Sequence, residues 1–234
     1  MTAGVSELLG ISQDTGVYGR DLRYRTDFRN GRPLRTDIET LVQILGKLPV
    51  WVRLHYLHPY PRVDTLISTM ATDRILPYPD IPLQHASPRI LEAMRRPAAG
   101  EWMLARIAGW RKRCPELVIR STFIVGFPGE TESNFESLLE FLEVTRLDRV
   151  GGFAYSPVVG AAANVLPDQL PQALREERLA RLMAVQAAIS REKLQARVGR
   201  RPTVLVDEVA ADQVIARSYA DVPEIDSTVI ILGP

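Results

Sequence analysis

Short apolar runs alternate with amphipathic stretches at least five times along this chain, and most of the apolar runs end in polar or Gly/Pro-rich residues. The apolar runs predict strands at 5–11, 51–57, 77–83, 117–125 and 149–155. Between them, apolar residues recur at helical spacing, as in the stretch that Asp37 opens. Strands that alternate with helices form a mainly parallel sheet, because each helix crosses back before the next strand starts. The pattern therefore predicts an α/β fold.

The C-terminal part of the chain has a different pattern. A long helix predicted over about 171–197 ends at Gly199, and short strands follow at 203–209, 214–219 and 228–232 without helices between them. We therefore expect two domains, an α/β core at 1–199 and a small β domain at 200–234. The first strand begins after only four residues, and the last one ends two residues before the C-terminus. We expect a truncated chain.

Composition and charge exclude several classes of protein. No run of eighteen apolar residues is present and the N-terminus lacks a signal-peptide pattern, so the expected location is the cytoplasm without membrane contact. With 29 basic and 28 acidic residues, the net charge of +1 gives no overall attraction to nucleic acid. Cys114 is the one cysteine, which excludes intramolecular disulfides and any all-cysteine metal site.

Polar residues collect where the predicted strands end. These segments are Ser12–Asp14, His55–Tyr56, Gln84–His85, Gly126–Glu130 and Tyr155–Pro157. Active sites of parallel α/β folds form at the carboxyl ends of the strands, so the segments predict one functional rim. Arg120 lies within the apolar run before Gly126, and its guanidinium needs an acidic partner if it is buried. That partner is either an internal carboxylate or the carboxylate of a ligand.

Three of these segments carry a family resemblance. Residues 11–15 (ISQDT), 80–87 (DIPLQHAS) and 120–131 (RSTFIVGFPGET) resemble the radical S-adenosylmethionine methylthiotransferases, specifically the branch that modifies ribosomal protein S12. Residues 217–226 resemble the start of that family's C-terminal TRAM domain. The resemblance implies a partial TIM-type (β/α) barrel of the radical SAM type that lacks its first strand, followed by an incomplete TRAM-like β domain.

The resemblance also implies an activity, cofactors and partners. Such enzymes add a methylthio group to the β-carbon of an aspartate of S12, using S-adenosylmethionine and two [4Fe–4S] clusters. Their partner is the small ribosomal subunit, with RNA contact possible through the TRAM domain. The cysteine ligands of both clusters are missing from this sequence. We therefore expect this chain alone to be catalytically incomplete and to have no metal ligands.

Eight residues match positions that the resemblance places around S-adenosylmethionine: Gln13, Asp14, Gln84, Arg120, Ile124, Gly126, Gly129 and Glu130. Gln13 and Asp14 are expected near its methionine end, and Arg120 at its carboxylate. Ile124 and Gly126 fall in the strand that supports adenine in this family. Gln84 is expected to face the same cavity. Gly129 and Glu130 are expected in the loop beyond the strand.

Three other functions stay open on the sequence. Relatives that modify tRNA carry Gln-Asn where Gln13-Asp14 stands and Gln-Ser where Gln84-His85 stands, which favours the ribosomal branch. The missing cluster ligands leave room for a cofactor-free module that binds ribosomes or RNA. A barrel hydrolase or lyase could use Asp80, His85 and Glu130.

Overall fold

The computed structural model describes residues 4–72, 75–96 and 100–233. They form two compact units. The first unit contains the chain up to Pro79, Glu116–Val118 and the chain from Arg197 onward, whereas the second contains Asp80–Pro115 and Ile119–Ala196. No helix in the described ranges is long and apolar enough to cross a membrane.

The described elements are numbered in chain order. The strands are β1 (Glu7–Gly10), β2 (Thr26–Arg29), β3 (Arg32–Arg35), β4 (Trp51–Leu54), β5 (Ile75–Pro79), β6 (Arg120–Val125), β7 (Arg149–Ala154), β8 (Val204–Val209), β9 (Gln213–Ser218) and β10 (Val229–Leu232). The helices are α1 (Ile38–Leu45), α2 (Arg62–Met70), α3 (Pro88–Ala93), α4 (Gly100–Arg113), α5 (Glu132–Thr145) and α6 (Gln172–Gln195). The predicted alternation of strands and helices is confirmed, with strand ends that differ by a few residues.

Helix starts follow the capping chemistry of the sequence. The Asp37 side chain accepts a hydrogen bond from the Thr40 amide and begins α1. Thr131 forms a capping box with Asn134 at the start of α5. Both caps satisfy backbone N–H groups that have no partner inside the helix, so they fix where each helix begins.

The first unit contains a parallel sheet in the order β1-β4-β5 and an antiparallel sheet in the order β10-β9-β8. A buried apolar cluster combines residues from both parts of the sequence: Leu76, Tyr78, Val118, Ala220 and Val222, with Trp51 and Tyr219 packed against it. The segment that follows β9 therefore shares a hydrophobic core with β5 and the start of β4.

A buried arginine reinforces this core. The Arg53 side chain is fully buried and donates to Glu7 Oε1 at 2.9 Å and to the Tyr219 and Asp221 carbonyls at 2.8 and 3.0 Å. Arg217 donates to the other Glu7 oxygen at 2.8 Å and to Asp207. We call these side chains the Glu7 network. All of its charges are paired, as burial requires.

One element of the first unit was not predicted. Strands β2 and β3 form an antiparallel hairpin between the end of β1 and the start of α1. Its turn is Asn30-Gly31, and both residues have positive φ, at 50° and 74°. That backbone is typical of the tightest two-residue hairpin turns, in which Asn-Gly is strongly preferred.

The second unit is built around β6. This strand pairs in parallel with β7 from Arg120↔Arg149 to Val125↔Ala154, and the chain at Asp80 and Gln84 forms parallel bridges with its other edge. Alternate β6 side chains are buried, with Phe123 meeting Phe141 of α5 edge-to-face. Arg120, Thr122 and Ile124 occupy the opposite, partly open face, as the two-residue period of a strand requires.

Candidate functional site

A cavity of about 280 Å³ opens beside the carboxyl end of β6. Its lining includes Gln84, Met94, Arg95, Ile124, Phe127 and Leu166. The wall is therefore mostly apolar, with one amide and two arginines, Arg95 and Arg96. Small-molecule sites have this mostly apolar composition and volumes of about 300–1,000 Å³, and the volume of this cavity lies just below that range.

Gln84 is held in a strained backbone conformation at this cavity. Its φ is 69°, a value that costs free energy for any residue with a β-carbon. Its amide donates to the Thr122 carbonyl at 2.9 Å, and its carbonyl accepts from the Ile124 amide at 2.8 Å. Both backbone groups are therefore fixed to β6. Strain of this kind concentrates at functional positions, where the surrounding structure imposes it.

The loop after β6 is organised by a buried carboxylate. Glu130 Oε2 accepts from the Gly126 amide at 2.9 Å and lies 3.3 Å from His85 Nε2, and Arg178 Nη1 donates to Glu130 Oε1 at 2.7 Å. Since His85 Nδ1 accepts from the Ser87 amide, the proton of a neutral ring lies on Nε2, facing Glu130. We call Glu130, His85 and Arg178 the Glu130 triad. Both carboxylate oxygens are occupied within the protein.

A second carboxylate shares the arginine of this triad. Glu132 accepts from Arg178 at 3.1 Å and from Arg181 at 2.7 Å, but its side chain is 47% exposed. The pKa of Glu132 lies below its usual value, chiefly because Arg181 donates a hydrogen bond to its carboxylate. Arg178 therefore pairs with two carboxylates, the buried one of Glu130 and the partly exposed one of Glu132.

Two glycines shape the same loop. Gly126 has φ +71°, and a β-carbon there would lie 2.4 Å from the Arg175 Cγ. Gly129 has φ +79°, and its amide donates to the Asp168 carbonyl at 3.0 Å. Arg175 donates to the Tyr155 carbonyl at 2.8 Å, which joins the end of β7 to α6. The close approach of Arg175 at Gly126 and the positive φ at both glycines therefore set the course of the loop, and both features favour glycine.

The eight residues expected around a ligand are distributed over both units. Gln84 and Ile124 line the cavity, and Gly126, Gly129 and Glu130 form the loop beside it. Arg120 begins β6, four residues or about 13 Å along the strand from Ile124, and is partly buried. Gln13 and Asp14 belong to the first unit, where the Asp14 side chain accepts from the Gly16 amide and Gln13 is exposed.

Some residues of the site were missed by the sequence reasoning. Arg175 and Arg178 lie on α6, more than forty residues after the loop that they organise. Arg95 follows α3 and lines the cavity. The helix α6 was predicted, but the role of its arginines was not. A signal for that role is that Arg178 falls on the same helical face as Leu182, which indicates that this arginine is buried.

A larger cavity of about 730 Å³ lies in the first unit. Its wall includes Val5, Val50, Trp51, Leu76 and Tyr219, which lie at or before the amino-terminal ends of the parallel strands or in the C-terminal segment. Ligands of α/β sheets bind at the carboxyl ends of the strands. We therefore place the candidate site at the smaller cavity beside β6.

The chain has one thiolate ligand for a metal, that of Cys114. Cys114 is buried and directly follows α4. The described residues contain no group of three His, Cys, Asp or Glu side chains arranged to hold a metal ion. A [4Fe–4S] cluster is bound through cysteine thiolates, and a single buried thiol does not provide that donor set.

Comparisons with known proteins give the similarity of the chain to known families. The Radical SAM superfamily model matches residues 30–142, and the TRAM domain model matches residues 198–234. The chain is similar to the ribosomal protein uS12 methylthiotransferases RimO of Methylobacillus flagellatus, at 59% identity, and Methylococcus capsulatus, at 60%. Each match covers 100% of this chain and 53% of the relative, so the chain spans about half the length of the curated relatives it matches.

A solved structure shows the same fold. Coproporphyrinogen III oxidase (HemN) from Escherichia coli, a radical SAM enzyme, superposes with a TM-score of 0.53 at 16% sequence identity. The superposition covers 65% of this chain and 36% of that one. The expected α/β fold of radical SAM type, followed by a small antiparallel β sheet, is thereby confirmed.

Proposed function

Because this chain belongs to the radical SAM superfamily and carries a TRAM domain, we propose that it forms part of a methylthiotransferase that acts on ribosomal protein uS12. The observation that carries the proposal is the identity of 59–60% along the whole chain to proteins with that name. The proposed partner is uS12 of the small ribosomal subunit, and the proposed location is the cytoplasm.

The proposed cofactor site is the cavity beside β6. Its apolar wall at Ile124 and Phe127 suits an adenine ring, and Gln84 supplies an amide that can fix the polar edge of that ring. Arg95 at the cavity edge suits the carboxylate of S-adenosylmethionine. The bound cofactor would supply the group-transfer chemistry, and these side chains would bind and orient it.

The other expected residues have different parts in this proposal. Gly126 and Gly129 shape the loop that closes the cavity, and Glu130 holds that loop through its own hydrogen bonds. Gln13 and Asp14 at the methionine end, and Arg120 as a carboxylate ligand, stay predictions. The iron–sulfur clusters of the family do not fit the cysteine content of this chain, so no step of the reaction is assigned to them here.

The test of the function is a fusion protein. The part of the M. flagellatus relative that this chain does not span would be joined to this chain and reconstituted anaerobically with iron and sulfide. We expect a methylthio mass increment on an aspartate of uS12 after incubation with S-adenosylmethionine, and none on bulk tRNA. The intact relative serves as the positive control. An increment on tRNA nucleosides alone would contradict the proposal.

The cavity makes a separate prediction about Gln84. Glycine tolerates the backbone conformation of this residue, so Gln84→Gly removes the amide and relieves the strain together. We expect affinity for S-adenosylmethionine to fall about three- to tenfold, the value of one hydrogen bond. The free energy of unfolding should stay constant or rise. Calorimetric titration and urea unfolding measure the two effects.

Arg146→Gly is the matched control for this variant. Arg146 also has a positive φ, of 46°, but it caps α5 and does not line the cavity. The Arg146→Gly variant should change the free energy of unfolding without changing the affinity for S-adenosylmethionine. Equal affinity of the wild type and Gln84→Gly would exclude the amide as a ligand contact.

A further inference from the structure

Positive charge is concentrated in residues 20–35, which we call the arginine hairpin. This segment contains six arginines and two aspartates, so its net charge is +4. The whole chain has a net charge of +1, which leaves −3 for all other residues. The segment is thus a local basic surface in a protein that is otherwise slightly acidic. A local surface of this kind can attract a polyanion although the net charge of the chain does not.

The arginines of this segment are exposed, and most have no acidic partner. All six lie on the surface, and of these only Arg35 has an ion pair with an acid of the described chain, with Asp37 at 3.3 Å. Arg29 and Arg32 stand directly opposite each other on β2 and β3. Like charges at such a cross-strand position are destabilising. A bound anion between them would remove this cost.

The base of the arginine hairpin is built to hold it in one conformation. Arg23 and Tyr24 both have positive φ, at 52° and 54°, and the Tyr24 amide donates to the Gly19 carbonyl at 2.9 Å. A β-carbon at Gly19 would lie 1.7 Å from the Thr36 carbonyl oxygen, so the two ends of the segment are in close backbone contact. Thr36 also donates to the Arg25 carbonyl through its amide and its hydroxyl. Hydrogen bonds and close backbone packing therefore hold the two ends of this exposed segment together.

An exposed aromatic side chain lies on the opposite face of the hairpin from Arg29 and Arg32, because consecutive residues of a strand point to opposite faces and Phe28 is paired with Pro33. Phe28 precedes Arg29 on β2 and is 70% exposed. Charged residues can protect an exposed β hairpin from aggregation, but charges of either sign do so, and an exposed phenylalanine works against it. A narrow hairpin with guanidinium groups on one face and an exposed aromatic ring on the other instead offers both contacts that single-stranded RNA uses, with phosphates and with unpaired bases. An acidic protein segment would pair with the arginines but would have no base to stack on the Phe28 ring.

From these observations we infer that the arginine hairpin is an RNA-binding surface. Arg29 and Arg32 bind backbone phosphates on one face of the hairpin, and Phe28 stacks on an unpaired base on the other face. The inference rests on the proposed function only where it identifies the RNA as the ribosomal RNA next to uS12. The enzyme then recognises its protein substrate within a ribonucleoprotein. RNA binding by the hairpin is a separate property and requires no transfer reaction.

The test is binding of a fluorescein-labelled RNA stem-loop with an unpaired loop, followed by fluorescence anisotropy at several salt concentrations. Arg29→Glu/Arg32→Glu should weaken binding at least tenfold. It should also reduce the slope of log Kd against log salt by about 1.4, because each phosphate contact in single-stranded RNA contributes about 0.7. Phe28→Ala should weaken binding about tenfold while leaving the salt slope unchanged.

The matched control is Lys112→Glu/Arg191→Glu. These two residues are exposed on α4 and α6, and their reversal changes the net charge by the same amount. The control should alter RNA affinity less than twofold. Equal weakening by both double variants would overturn the inference, as would tighter binding of a labelled polyglutamate peptide than of the RNA. Since no methylthio transfer is measured, this result is independent of the fusion experiment.

Discussion

Replacing Glu130 with glutamine is expected to lower the free energy of unfolding by about 3–5 kcal/mol, the usual cost of removing one partner from a buried ion pair. The side chains of Glu130 and His85 are fully buried, and that of Arg178 is 4% exposed. Without the carboxylate charge, the Arg178 guanidinium keeps only the partly exposed Glu132 as a charged partner. Urea unfolding monitored by circular dichroism measures the change.

Two further variants separate the triad from general charge effects. Glu132→Gln removes an ion pair with the same Arg178 at an exposed position, and we expect a loss of at most about 1 kcal/mol. Glu130→Leu/Arg178→Met replaces both buried charges by apolar groups and should be less destabilised than the sum of its single variants. A Glu130→Gln protein within 1 kcal/mol of the wild type would show that the triad is not a structural centre of the loop.

The second large effect concerns Arg53. Arg53→Met should lower the free energy of unfolding by about 3–5 kcal/mol, because it leaves the Tyr219 and Asp221 carbonyls without this donor and Glu7 with one cation fewer. The guanidinium also lies 4.4 Å from the Tyr78 ring centroid, a contact that methionine replaces only in part. Hydrogen exchange should show the largest loss of protection in β9 and the turn that follows it.

Arg35→Met is the control for this variant. The Arg35 side chain is 57% exposed and pairs with Asp37, so its loss should cost less than about 1 kcal/mol. If both variants were equally stable, the hydrogen bonds of Arg53 would contribute nothing beyond what surface ion pairs do. If protection were lost in α5 and α6 but kept in β9, the Glu7 network would not be the element that Arg53 stabilises.

Local chemistry made much of the fold predictable from the sequence. Asp37 and Thr131 are good caps followed by apolar residues at helical spacing, so the starts of α1 and α5 could be located closely. The alternating elements gave the fold class, because parallel strands need helical crossovers. The β2–β3 hairpin was missed although Asn30-Gly31 is a strong turn signal. Its strands carry charged residues on both faces and lack the alternation expected of a half-buried strand.

The site was predictable only where its residues are contiguous. Gln84 and Ile124 were identified from motifs, and both line the cavity. Glu130 was expected in a cofactor-binding loop, but its carboxylate is held by Arg178, forty-eight residues later in the chain. Sequence spacing carries no information about such pairs, because folding decides which distant charges meet. The role of Arg53 was hidden for the same reason, as two of its acceptors lie in the C-terminal segment.

The Glu7 network limits how the C-terminal segment can be exchanged between relatives. A recombinant cut at residue 197, chosen from the limits of the TRAM match, would separate Arg53 and Glu7 from the carbonyls and the arginine that they bind. A transplanted segment always supplies the two backbone carbonyls, but one without an arginine at position 217 would leave the buried Glu7 carboxylate with one cation fewer. The stability of this small β sheet therefore depends on side chains that lie 166 to 210 positions before the residues they bind, and a graft that loses the Glu7–Arg217 pair is expected to be less stable.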